Sequence, residues 1–79
     1  MARIETKTIK KIDKDRNNVH TRVQTTYTVF DYEGRHYVQI DTYGKSDRDM
    51  PEKISQSLQF DYESAKYLID LLRDEFNIE

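Results

Sequence analysis

Cysteine and tryptophan are absent from this 79-residue chain, proline occurs once (Pro51) and glycine twice (Gly34 and Gly44). Without cysteine there is no disulfide, no thiolate metal site and no thiol nucleophile, and the composition suits a reducing compartment. No stretch approaches the roughly 18 consecutive apolar residues of a membrane-spanning helix, and no apolar segment of about 7 to 15 residues marks a signal peptide at the N-terminus. A cytoplasmic protein without membrane contact is the expectation. Repeats, low-complexity tracts and Pro/Gly/Ser linkers are missing too, so the breakers serve as turn punctuation inside a single domain, residues 1–79. A chain this short narrowly offsets its ordering entropy by burial, which favours association with a second copy.

Charge is present in both signs but unevenly placed. The formal net charge is -2. Residues 1–22 hold seven basic groups (Arg3, Lys7, Lys10, Lys11, Lys14, Arg16, Arg22) against three acids (Glu5, Asp13, Asp15), a balance of +4, so residues 23–79 total -6. Such asymmetry reads either as solvated faces or as a basic strip facing a polyanion.

Periodicity divides the chain into four strands and a helix. Residues 3–12 tolerate extended backbone, but Ile4, Thr6 and Thr8 share one parity while Ile9 takes the other, which predicts a bulged or edge strand. The following Asp13-Lys14-Asp15-Arg16-Asn17-Asn18 is read as a hairpin loop. Residues 21–32 are rich in β-branched and aromatic side chains, with Val23, Tyr27 and Val29 on one parity. Glu33-Gly34 supplies a tight turn into residues 35–43, where His36, Val38, Ile40 and Thr42 alternate with Tyr37, Gln39, Asp41 and Tyr43. After a polar loop from Gly44 to Glu52, residues 54–60 alternate Ile54, Leu58 and Phe60 with Ser55, Ser57 and Gln59. Asp61 then suits an N-cap, Glu63 suits the positive end of a helix dipole, and residues 62–76 carry Ala65, Leu68, Ile69, Leu72 and Phe76 on one apolar stripe. Tyr67 and Leu71 widen that stripe, either finishing the rim of the core or serving a helix-mediated homodimer.

The expected fold is α+β: a four-stranded antiparallel sheet in β-β-β-β-α order, with the amphipathic C-terminal helix packed on one face. If the helix covers Val23, Tyr27, Val29, Val38, Ile40, Ile54, Leu58 and Phe60, the pleat turns Arg22, Gln24, Thr26, Thr28, Phe30, Tyr37, Gln39, Asp41, Tyr43, Ser55, Ser57 and Gln59 outward. Aromatics among amides and hydroxyls suit the stacking of unpaired bases, with Lys45, Arg48 and Lys53 in the adjoining loop and Lys7, Lys10 and Lys11 on the first strand for phosphates if the fold brings them to one rim. The same residues are also ordinary β-formers that keep an exposed sheet face soluble. The candidate nucleic-acid site is therefore Arg22, Phe30, Tyr37, Gln39, Tyr43, Lys45, Arg48 and Lys53.

The run Val38-Gln39-Ile40-Asp41-Thr42-Tyr43, a polar loop, the strand entry Lys53-Ile54-Ser55 and an amphipathic helix after Asp61 resemble the single-stranded-DNA-binding domain of the transcriptional positive coactivator family over about residues 20–76. The glycine and the helix-opening Trp of that pattern are missing here. The resemblance implies a non-catalytic homodimer whose sheets grip unpaired DNA.

Chemistry-bearing motifs are lacking: no glycine-rich phosphate loop, no nucleophile elbow, no His pair at metal spacing. His20 and His36 read as strand-end residues, and Asp41 has no titratable partner set by the pattern. No cofactor is expected. The readings carried forward are a non-enzymatic module for single-stranded nucleic acid, or a protein-interaction or inhibitor module using its acidic helix or an edge strand against a basic protein partner.

Overall fold

The computed structural model describes residues 1–44 and 53–79, and the loop expected between strands three and four lies outside them. The elements are β1 (Ala2–Arg3), a short 3-10 turn (Thr6–Thr8), β2 (Thr25–Tyr32), β3 (Arg35–Tyr43), β4 (Ile54–Phe60) and α1 (Tyr62–Phe76). The four strands form one sheet in the order β1-β4-β3-β2.

The β2–β3 hairpin follows from its turn. Glu33 and Gly34 take φ of +50° and +76°, the pair of positive values that defines a type I′ turn, whose twist matches that of the flanking strands. Tyr32 thereby faces Arg35, and pairing runs back through Phe30 with Tyr37 and Thr26 with Asp41 to Thr25 with Thr42. Strand β4 joins the other side of β3, placing Gln39 opposite Gln59 and Asp41 opposite Ser57. The expected parity holds across all three: Val29, Val38 and Phe60 stand on one side, as do Tyr27, Ile40 and Leu58, with the amides on the reverse. One residue departs. A bulge pairs Tyr43 with Ile54 while Thr42 pairs with Gln56, which brings Ile54 into register with Tyr43 instead of with Leu58.

Four expectations are corrected. The sheet is mixed rather than antiparallel, because β1 runs parallel to β4, with Ala2 beside Leu58 and Arg3 beside Gln59. The first strand spans two residues instead of ten, and no hairpin links it to β2; residues 10–22 are exposed throughout and join no strand. Five lysines and arginines in that stretch, with only Ile12 and Val19 as large apolar residues, leave it too little to bury against its ordering cost.

The third correction concerns the helix. Its start and end are those the sequence predicts. Asp61 Oδ1 accepts from the Ser64 amide at 3.0 Å while Ser64 Oγ accepts from the Asp61 amide at 3.0 Å, a reciprocal capping box. Asn77 closes the other end in the left-handed conformation. Yet α1 neighbours β4 and the 3-10 turn rather than lying across β3 and β2. Ser64 is buried and Ala65 and Leu68 are half-buried, whereas Ile69, Leu72 and Phe76, further along the same stripe, are exposed.

Burial is the reverse of what the pattern predicts. On the apolar side of the sheet Tyr27 is 72% and Val29 55% exposed, while on the polar side Tyr37 is 6% and Asp41 5% exposed. Tyr37 is the one buried large hydrophobic residue among those described.

Candidate functional site

The polar side of the sheet is a closed, ordered surface. Gln59 Nε2 donates to Gln39 Oε1 at 2.8 Å, and Gln39 Nε2 donates in turn to Asp41 Oδ1 at 2.9 Å. Ser57 Oγ donates to the same carboxylate oxygen at 2.5 Å. Both cross-strand pairs sit directly opposite each other, so the pleat itself aligns the chain of donors, which ends on the one formal charge able to accept two of them. Asp41 has its structural task there, and no buried side-chain polar atom among the described residues lacks a partner.

Next along the face, Phe30 and Tyr37 stack at 5.3 Å between ring centroids, with planes 20° apart. The Arg3 guanidinium lies 5.0 Å from the Tyr37 centroid and also donates to Asp61 at 3.2 Å. Strand β1 is what positions it: Ala2 falls on the apolar side with Leu58, so Arg3 falls on the polar side with Gln59. The Asp61 carboxyl is held below the usual carboxylate range, chiefly by the Ser64 amide that donates to it and further by Arg3, with desolvation opposing. Met1, Ala2 and Arg3 edge a shallow cleft beside Gln39, Ser57 and Gln59.

The residues assigned to a nucleic-acid platform are distributed as follows. Phe30, Tyr37, Gln39 and Tyr43 share the polar face, as their parity predicts. Phe30 and Tyr37 are brought together; Tyr43, six residues along β3, stands about 20 Å from Tyr37 at the rise of an extended strand. Its hydroxyl is within 2.9 Å of Thr26 Oγ1. Arg22 is exposed ahead of β2, and Lys53 is exposed immediately before β4. Lys45 and Arg48 lie outside the described residues. Arg3, Ser57 and Gln59 join this surface without having been singled out; the polar parity of β4 marked the last two, and nothing local marked Arg3.

His36 and Asp31 meet at 2.7 Å on the opposite face from Asp41, because they stand on the parity of Val38. Among the described residues no group of His, Asp and Glu is arranged to hold a metal ion, and no helix is long and apolar enough to cross a membrane.

The apolar side is the second candidate surface. Tyr27, Val29, Leu58 and the stripe residues Ile69, Leu72 and Phe76 are exposed, and β2 is an edge strand of eight residues. In the hairpin register the residues of β2 that do not exchange hydrogen bonds with β3 alternate with those that do, so Thr25, Tyr27, Val29 and Asp31 turn their amides and carbonyls outward.

No family model matches the chain, and no curated protein or solved structure is significantly similar to it. The fold and these two surfaces define a small α+β domain with one self-satisfied polar face and one uncovered apolar face.

Proposed function

We propose that the chain is a non-catalytic protein-interaction module that binds through the apolar side of its sheet, the exposed stripe of α1 and the free edge of β2. The observation that carries this reading is the contrast between the two sides. The polar face is closed by its own hydrogen bonds and by Arg3, whereas Tyr27, Val29, Leu58, Leu72 and Phe76 meet nothing among the described residues that buries them. Exposed large apolar residues on a sheet face and on a helix stripe mark interaction sites, and an open edge strand adds main-chain donors and acceptors for a partner strand.

The reading is tested with the purified chain and surface variants. Val29→Asp and Leu72→Asp are expected to abolish binding to whichever purified protein the wild type retains, a second copy included, while Thr28→Glu on the polar face leaves that binding intact. Equal retention by all three variants overturns the assignment.

A second reading, single-stranded nucleic acid, has its own support in the exposed bases of residues 10–22: Lys10, Lys11, Lys14, Arg16 and Arg22 take part in no salt bridge among the described residues. A partner of this kind would also accord with the resemblance to the positive coactivator domains. Its test is fluorescence anisotropy with a labelled oligothymidylate at about 50 mM and about 200 mM salt, where phosphate contacts weaken steeply as salt rises. Absence of binding at the lower salt removes it.

A further inference from the structure

We infer that the occupant of the apolar surface is a second copy of this chain, with the stripe of α1 from each copy laid across the apolar sheet face of the other. The inference rests on the protein-interaction reading above and names its partner.

The chain exposes more surface than a compact monomer does. The chain exposes 7803 Å², against about 5,000 Å² for a compact monomer of its mass. Its radius of gyration is 14.9 Å, where a compact chain of this length has about 12 Å. Residues 10–22 contribute part of the surplus, since all of them are exposed. The surplus as a whole exceeds the 800 to 1,000 Å² or so that each partner contributes to a stable dimer.

The open sheet face and the open helix stripe are complementary within one sequence. A sheet face that lacks a covering layer and a helix stripe that lacks a sheet are the two halves of an ordinary two-layer packing. In this chain they are not joined, because α1 continues from β4 alongside the 3-10 turn and leaves Tyr27, Val29, Leu72 and Phe76 open. A two-fold exchange satisfies both surfaces at once, since each copy offers what the other lacks. Charge favours the same occupant: a +4 segment and a -6 remainder on each chain attract their opposites on a neighbouring copy.

The test uses the absence of native cysteine. Val29→Cys chains are mixed with Leu72→Cys chains under oxidising conditions, alongside sedimentation velocity of the wild type at micromolar concentration. The expected results are twice the monomer mass, a midpoint of thermal unfolding that rises with protein concentration, and a disulfide-linked species that pairs the two different variants. Wild type that stays monomeric with a concentration-independent midpoint overturns the inference; if that monomer binds another purified protein through Val29 and Leu72, the interaction reading survives it. A dimer that cross-links only Val29→Cys to Val29→Cys also overturns it, because the sheets then face each other. The wild-type measurements stand even if a cysteine variant fails to fold.

Discussion

Arg3 Nη2 and Asp61 Oδ2 meet at 3.2 Å across a separation of 58 residues, tying the two-residue strand β1 to the first turn of α1. The same guanidinium covers Tyr37, so one side chain links the N-terminal strand, the stacked aromatic pair and the helix cap. Asp61 serves two partners in turn, with Oδ1 on the Ser64 amide and Oδ2 on Arg3.

Replacing Asp61 separates those roles. Asp61→Ala removes the cap and is expected to cost about 1 kcal/mol, a typical loss for an N-cap carboxylate. Asp61→Asn keeps an oxygen for the Ser64 amide and surrenders the charge facing Arg3. The folded carboxyl titrates below its ordinary value, so its contribution is complete above the unfolded value of about 3.9 and is lost as pH falls through the folded one. Urea unfolding from pH 6 down to acid is expected to show wild-type stability declining across that window, with a shallower decline in Asp61→Asn.

The type I′ turn gives a prediction of opposite sign. Glu33 is a non-glycine residue at φ +50°, where Asn is better tolerated, so Glu33→Asn is expected to raise stability by about 0.5 kcal/mol. At Gly34 a Cβ would meet nothing within 4 Å, so the cost of Gly34→Ala, about 1 kcal/mol, is purely that of the left-handed backbone. Denaturation midpoints of the two variants should move in opposite directions with the slope unchanged.

These elements were legible because their signals are local. Alternation over residues 25–43 and 56–60 fixes which side chains share a face, Glu33-Gly34 fixes the turn, and Asp61 fixes the start of α1. Strand β1 left no such trace, since two residues carry no period and their parallel partner lies at the far end of the chain. Val29 and Leu72 show the other limit. Amphipathic spacing establishes that a strand or helix has an apolar side, and says nothing about whether the surface meeting it belongs to the same chain. The candidate site divides likewise: parity placed Phe30, Tyr37, Gln39 and Tyr43 on one face, but the closure of that face by Arg3 depended on the unforeseen pairing of β1 with β4.

The polar ladder gives a prediction about coupling. Ser57 Oγ and Gln39 Nε2 converge on a single oxygen of Asp41, which is buried, so neither donor can be replaced by bulk water without rearrangement. Ser57→Ala withdraws one hydrogen bond to a charged acceptor and is expected to cost about 2 kcal/mol. Asp41→Asn keeps the shape but weakens both bonds by removing the charge that strengthens them, and is expected to cost a similar amount. Because the two changes act on the same contact, the double variant should lose less than the sum of the single losses, by at least about 0.5 kcal/mol. Strict additivity in a denaturant-unfolding cycle of the four proteins would mean that Ser57 and Asp41 contribute independently and that the ladder does not act as a unit.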